Sequence, residues 1–369
     1  MDNERLRDSI RGMIFGQALG DAVGVQAEFK SKSSLRDFVI DYPYTKLTRD
    51  LLDVKCDMND WTDDTDQLVL LLETIVQADG LELTETDAKF FAKRLFEWRY
   101  HGFPELGDSS GFGLGGCTCL VTGHPNFQVN PHEVAMEVWN ESGNAMAANG
   151  AVMRTSVLAA LPFGSSTEPE EIADKEFLTF YKSVRNMCMV THYDPRCIIS
   201  CWAQCYMCKY AILAHTTDTP IGPDRIAKLL SLLKTIGAEL SAVNYRSPAE
   251  DSKANIVEFC KFIDMSGNLA RLRLDKQPGI GYTYRCVACM FWAYRLVCMA
   301  QTAGKKISFR AVIKEVAGEG GDADTNGAVC GAFLGAYLGY SNLPEDWLAS
   351  LPHKDWLNTK VESLFDKLF

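Results

Sequence analysis

Apolar positions recur every three or four residues along most of the chain, the spacing that gives a helix one buried face. Ile10, Met13, Ile14 and Ala18 mark a first helix over residues 5–29. Leu68, Leu71, Leu72 and Ile75 mark a second that starts at Asp63, and Ala88, Phe91, Leu95 and Trp98 mark a third. Thr84-Glu85-Thr86-Asp87 announces the third helix with a capping-box pattern. Asn149 to Arg154 opens a helix that runs to Leu161, and Asp194-Pro195 caps and starts a long apolar helix to His215. Residues 221–275 alternate helical runs with polar turns. A strongly apolar helix then runs to Ala303 and stops at Gly304. The tail from Ser341, with Pro344, Trp347, Pro352 and Trp356, reads as short packing helices. Strand alternation is nearly absent, no Ser/Pro-rich linker divides the chain, and no solenoid period recurs. These patterns predict one all-α domain over residues 1–369, irregular at 30–60, with functional loops at the mouths of helices.

Two of those mouths are unusually acidic. Trp61-Thr62-Asp63-Asp64-Thr65-Asp66 opens the second helix. Thr62 is expected to cap it by accepting a free N–H, and the acids suit the positive end of the helix dipole. Ordinary capping accounts for this stretch taken alone. Near the other end of the chain, Gly320-Gly321-Asp322-Ala323-Asp324-Thr325-Asn326-Gly327 opens a helix of small, apolar residues. If the two openings meet they repel each other, and a hard cation would reconcile them. Asp carboxylates and Thr hydroxyls are oxygen ligands suited to Mg²⁺, Mn²⁺ or Ca²⁺.

Other stretches add candidate ligand contacts. The run Gly16 to Gly24 in the first helix is rich in small residues, which lets another backbone approach closely. Glu28 follows it, either as a solvated helix-terminal acid or as a functional one. The loop from Gly107 to Thr118 is glycine-rich and offers N–H groups to a phosphate. No strand precedes it and no Gly-Lys-Ser/Thr follows, so neither the dinucleotide nor the P-loop fingerprint fits. Asn149-Gly150-Ala151 is a second expected helix start, a place suited to ligand oxygens meeting free N–H groups. His192 is either a packed residue or a functional one.

Composition narrows the class. A hydrophobic share of 47% with 23% charged residues describes a globular chain with material for a large core. The net charge of −11 argues against a nucleic-acid surface or an anionic membrane surface as partner. Of the 13 cysteines, Cys197, Cys201, Cys205 and Cys208 share one helix and span roughly 16 Å, too far for one zinc ion. They read as small buried hydrophobes in a reducing compartment. The N-terminus lacks an apolar signal-peptide region, and Arg196, Gln204 and Lys209 interrupt the longest apolar helix. A cytoplasmic protein is expected.

The set Gly20-Asp21-Ala22-Val23-Gly24 with Glu28, Trp61 to Thr65, Asn149 to Arg154, Thr191-His192 and Gly320 to Thr325 resembles the ADP-ribosylglycohydrolase family. The resemblance runs in order from about residue 8 to about residue 347. It implies a compact, orthogonal all-α fold with two Mg²⁺ or Mn²⁺ ions in a central cleft. The implied metal ligands are Thr62, Asp63, Asp64, Asp322, Asp324 and Thr325, with Glu28 on a mobile gating loop. Gly113, Gly115, Gly116 and Cys117, then Asn149, Gly150, Ala151 and Met153, then His192 correspond to segments that hold the phosphates and riboses. Gly281 and Tyr282 correspond to a loop near the distal ribose. Met146-Ala147-Ala148 departs from the family, which often has a small polar residue just before the Asn-Gly pair.

The implied reaction is hydrolysis of a glycosidic bond at the ribose anomeric carbon, with Asp63, Asp64 or Glu28 assisting proton transfer. The implied substrate is an ADP-ribosylated protein, through arginine or serine, or a small conjugate such as O-acetyl-ADP-ribose. Selectivity for the linkage is expected in residues 30–60 and 100–116, and the protein is expected to be a monomer. The alternatives are a non-catalytic ADP-ribose-binding or crystallin-like structural relative, and a Ca²⁺-stabilised helical protein. The acid spacing does not fit an EF-hand loop.

Overall fold

The computed structural model describes residues 3–44, 58–162, 174–243 and 249–369. Within them the chain forms α1 (Asn3–Gly24), α2 (Asp63–Gln77), α3 (Glu85–His101), α4 (Gly116–Thr122), α5 (Pro131–Glu141), α6 (Asp174–Met189) and α7 (Pro195–Thr217). Then follow α8 (Arg225–Val243), α9 (Ala249–Met265), α10 (Thr283–Thr302), α11 (Phe309–Ala317), α12 (Ala323–Leu338), α13 (Glu345–Ser350) and α14 (Lys354–Leu368). Strand pairing among the described residues is limited to an isolated bridge between Ala148 and Tyr282. The fold is all-α, and its buried apolar side chains form one contiguous cluster.

The axis of the molecule is an antiparallel pair from opposite ends of the chain, α1 against α12. Glycines fall once per turn on the facing sides, so Gly12, Gly16 and Gly20 meet Gly335, Gly331 and Gly327. The backbones touch: a Cβ built on Gly20 would lie 2.0 Å from the Gly327 carbonyl oxygen, and one on Gly331 2.0 Å from that of Gly16. No side chain fits in that seam. The close approach expected from the small residues after Gly16 is present, and its partner is the second acidic helix. Because the pair is antiparallel, the end of α1 lies beside the start of α12, and a Cβ on Gly24 would meet Ala323 and Asp324.

Helix α7 packs on both members of the pair. By length and composition it could cross a membrane, yet it is largely buried inside the protein. The described cysteines are free and mostly buried, as small core residues. The capping box of α3 is present, with Thr86 N–H donating to the Thr84 hydroxyl (3.2 Å) and Thr84 N–H to Asp87 (2.7 Å).

Two elements differ from the periodic pattern. The helix expected after Asn149 is a 3₁₀ segment, Val152–Ala160. Two of its carbonyls are taken by side chains from neighbouring helices: Gln17 donates to Met153 O (2.7 Å) and Lys209 to Ala159 O (3.2 Å), and Lys209 also donates to Leu161 O just past its end (2.7 Å). Such donors replace the i+4 N–H groups that an α-helix needs. The tail holds a full fifteen-residue helix, α14, instead of short pieces only, and it packs on α2.

Candidate functional site

The opening of α2 is organised by a carboxylate from another helix. Asp21, fully buried on α1, accepts the backbone N–H of Thr62 and Thr65 (3.1 Å each). It also accepts both hydroxyls, Thr65 at 2.7 Å and Thr62 at 2.9 Å. Thr62 is the N-cap residue by position, but its side chain caps nothing. The expected capping role fails because Asp21 supplies a stronger, charged acceptor to the same N–H groups. Burial pushes Asp21 up to about 6, against the pull of its Thr65 and Thr62 hydrogen bonds. Asp66, the third acid of the opening, is turned away from the others and accepts the indole N–H groups of Trp61 (2.8 Å) and Trp98 (3.0 Å).

The α1–α12 seam brings the second acidic mouth onto the first. Thr325 Oγ1 lies 3.4 Å from Asp64 Oδ2, although 261 positions separate them, and 3.3 Å from Asp322 Oδ1. Carboxylate oxygens of Asp21, Asp64 and Asp324 lie within 4.8 Å of one another, and so do those of Glu28, Asp322 and Asp324. Asp64 is 2% exposed, and its Oδ1 has no hydrogen-bond partner among the described residues. Burial foremost, then the neighbouring acids, hold Asp63 and Asp64 well above the ordinary carboxylate range and push Asp322 up to about 8. Stacking acids this closely is unfavourable without positive charge. The donor set is all oxygen, carboxylate and hydroxyl, and it fits hard divalent cations.

Asp63 and Asp322 are held from the side. Gln67 Nε2 donates to Asp63 Oδ2 (2.7 Å) and Asn149 Nδ2 to Asp322 Oδ2 (2.6 Å). The glycine-rich loop presses on Asp63 from outside: a Cβ on Gly113, at φ +92°, would lie 2.3 Å from Asp63 Oδ1. Only glycine meets both demands there.

A cleft of about 530 Å³ holds this oxygen cluster, and Met146, Ile280 and Tyr282 are also in its lining. Glu28, Asp63, Asp64, Asp322, Asp324 and Thr325 line it, together with Gly113, Gly115, Gly116, Cys117, Asn149, Gly150, Met153, His192 and Gly281. Thr62 lies behind Asp64, its hydroxyl 3.3 Å from Asp64 Oδ2. Ala151 is fully buried and does not face the cleft. Glu28 follows a short 3₁₀ turn after α1, and the chain beyond it is tied to the second mouth. Phe29 N–H donates to Gly321 O (2.6 Å), and Gly321 N–H to Lys30 O (2.9 Å). Phe29, in the left-handed region at φ 57°, is left 59% exposed at the cleft. Of the stretches expected to govern selectivity, residues 45–57 lie outside the described residues.

Sequence reasoning missed three buried polar residues around the cluster. Asp21 sat inside the Gly20–Gly24 run without a role of its own. Gln17, one turn earlier, ties both walls together by donating to Asp64 O (3.2 Å) and Met153 O (2.7 Å). Arg154 is completely buried. A charged or amide side chain on the apolar face of a helical run was the available signal in each case.

A larger cavity, about 1110 Å³, opens at the opposite end of the seam, lined by Arg5, Asp8, His215, Lys305 and Ser341 among others. Its acids already have partners: Asp8 holds His215 (3.1 Å) and Ser341 (3.0 Å), and Asp218 holds Arg5 (3.7 Å). The smaller cleft is the one that holds the acidic cluster.

The sequence model of one family, ADP-ribosylglycohydrolase, matches residues 2–369. ADP-ribosylarginine hydrolase Tri1 of Serratia proteamaculans (strain 568) is 22% identical over 368 residues, covering 97% of this chain and 79% of the relative. The protein of the same name from Pseudomonas putida (strain GB-1) is 20% identical, covering 99% and 80%. An uncharacterised protein of Archaeoglobus fulgidus is 26% identical, covering 98% and 97%. A solved structure described as an ADP-ribosylglycohydrolase-related protein complex shares the fold, with a TM-score of 0.55 at 19% identity, covering 99% of this chain and all of that one.

Proposed function

Because the chain belongs to the ADP-ribosylglycohydrolase family, we propose that it is a metal-dependent hydrolase that releases ADP-ribose from a protein side chain, arginine first. The observation that carries this reading is the meeting of the two acidic helix mouths, with Asp64 Oδ1 buried and unpartnered between them. Two Mg²⁺ or Mn²⁺ ions held by Thr62, Asp63, Asp64, Asp322, Asp324 and Thr325 would supply Lewis-acid charge for chemistry at the ribose anomeric carbon.

The protein's own groups divide the remaining work. Gln67 and Asn149 fix the carboxylates of Asp63 and Asp322, and Asp21 fixes the start of α2 beneath them. Glu28 and Asp322 are the acids of the cluster with partial access to solvent, and of the two Glu28 stands outside the six proposed metal ligands, which suits it to accept a proton from the attacking water. Backbone of the Gly113–Cys117 loop and the Asn149–Gly150 turn lines the cleft where a pyrophosphate would lie. Among the described residues no Lys or Arg side chain lines that cleft, so an anionic ligand depends on N–H groups and metal charge.

The arginine linkage is favoured by the mouth of the cleft. Glu28 and the exposed Phe29 both line the cleft, and a carboxylate and an aromatic ring are groups that complement a guanidinium. Two relatives bear the name ADP-ribosylarginine hydrolase, in keeping with that choice. The test is release of free ADP-ribose from arginine-, serine- and acetyl-linked substrates in parallel with Mg²⁺ present. Release from the arginine substrate is expected. Binding of ADP-ribose with no release from any substrate would overturn the hydrolase reading.

A further inference from the structure

Behind the cleft lining a buried chain of hydrogen bonds joins Asp63 to His192. Arg154 Nη1 donates to Gln67 Oε1 (2.7 Å), and Gln67 Nε2 donates on to Asp63 Oδ2 (2.7 Å). In the other direction Arg154 Nη2 donates to Thr191 Oγ1 (2.7 Å), which lies 2.7 Å from His192 Nδ1. Arg154 is 0% exposed, rests over the Phe91 ring (4.9 Å), and has no carboxylate ion-pair partner among the described residues. Burial lowers its guanidinium only to about 10, so it stays charged at neutral pH.

We propose that Arg154 is a positioning residue that sets the direction of this chain, and thereby holds His192 as the tautomer that donates Nε2–H into the cleft. A guanidinium carries donors only. Gln67 must therefore turn its carbonyl to Arg154, which leaves its NH₂ for Asp63. Thr191 must accept from Arg154, and its own proton then has one acceptor within reach among the described residues, His192 Nδ1. With Nδ1 accepting, the proton of a neutral imidazole sits on Nε2. Burial lowers His192 to about 3, so the ring is neutral at working pH and its tautomer decides whether it offers or accepts a hydrogen bond.

The cleft side agrees with a donor. His192 is 1% exposed, and its Nε2 is buried with no partner among the described residues. It lies against Gly150, where a Cβ would come within 3.2 Å of Nε2 and of Thr118 Oγ1. An acceptor oxygen of the ligand, from phosphate or ribose, completes it. The same cation thus holds Asp63 as an acceptor and His192 as a donor, both in the lining of the cleft. This rests on the ADP-ribose reading for the identity of the ligand, but not for the tautomer.

Long-range ¹H–¹⁵N NMR on histidine-labelled protein, with His192 assigned through His192→Asn, reads the tautomer directly without ligand or turnover. A pyridine-like Nδ1 and a pyrrole-like Nε2 are expected; a pyrrole-like Nδ1 would overturn the proposal whatever the enzyme does. Thr191→Val removes the relay with little change of shape. It is expected to release the tautomer preference and weaken ADP-ribose binding about tenfold, with Mn²⁺ affinity unchanged and Thr191→Ser close to the native protein. Arg154→Lys cannot reach both partners and is expected to change both the His192 signals and Mn²⁺ affinity. A merely structural Arg154 would lower the melting temperature in Arg154→Lys while leaving the His192 signals as they are, and that outcome also refutes the proposal. If the tautomer is as expected but ADP-ribose does not bind, the failure lies with the proposed function.

Discussion

Gly20→Ala tests the seam that brings the two acidic mouths together. The added Cβ would start 2.0 Å from the Gly327 carbonyl oxygen. The closest ordinary carbon–oxygen approaches are about 3.3 Å, so α1 and α12 must part by about 1.3 Å. Both contacting atoms are backbone-borne, so no side-chain rotation relieves the clash. A gap of that size forfeits much of the dispersion attraction along the pair, which puts the cost near the upper end of overpacking, about 3 kcal/mol. Alanine's better helix propensity returns about 1 kcal/mol. The net loss is about 2 kcal/mol, best read by chemical denaturation because a chain of this length shifts its melting temperature by only a few degrees. Gly80→Ala, where the nearest atom is 4.0 Å away, is the control and should cost nothing measurable. Asp21 is the next residue and Asp324 lies across from Gly24, so Gly20→Ala should also weaken Mn²⁺ binding by calorimetry. A Gly20→Ala protein as stable as the Gly80→Ala control would refute the backbone-contact account.

The acid cluster makes further commitments. Asp64→Asn keeps the shape and removes one of several mutually repelling charges. Turnover should fall by more than about a hundredfold while the metal-free protein gains stability; unchanged rates at saturating Mg²⁺ would remove Asp64 from the site. Glu28→Ala should lower kcat by about 10²–10⁴ and leave ADP-ribose affinity nearly native, which parallel kinetics and calorimetry would show, and equal losses in both would contradict its proton-handling role. Asp66 and Asp322 are both held up to about 8, by burial first, against an ordinary value of 3.8. Between those values the folded chain keeps protons that the unfolded chain has released, so metal-free stability should fall as pH rises from about 4 to 8. Mg²⁺, which competes with the proton at Asp322, should flatten the upper part of that slope. Denaturation midpoints that climb with pH in EDTA would contradict the buried, protonated acids.

How much of this was legible without coordinates depends on whether a feature is local. The periodic apolar faces of α1, α2, α3 and α7 and the capping of α3 and α7 are decided within a few residues, and they appear as expected. The two acidic mouths were visible as compositions, and repulsion between them suggested a cation before their meeting was known. What sequence spacing cannot encode is which distant groups meet. Thr62 looked like its own cap because Asp21 is invisible from position 62. The 3₁₀ segment read as an α-helix because the donors that claim its carbonyls, Gln17 and Lys209, come from other helices. Arg154 stood only as the last residue of the Asn149–Arg154 stretch, and its role depends on Gln67 and Thr191 arriving from either side.

Release of free ADP-ribose from an arginine-linked substrate, measured with Mg²⁺, with EDTA, and after Mg²⁺ is restored in excess, tests the central claim most directly. The paired acidic mouths predict turnover with Mg²⁺, loss in EDTA and recovery on restoration. The same turnover in EDTA as in Mg²⁺ would mean that the meeting of Asp63, Asp64, Asp322 and Asp324 serves some purpose other than holding the catalytic ions.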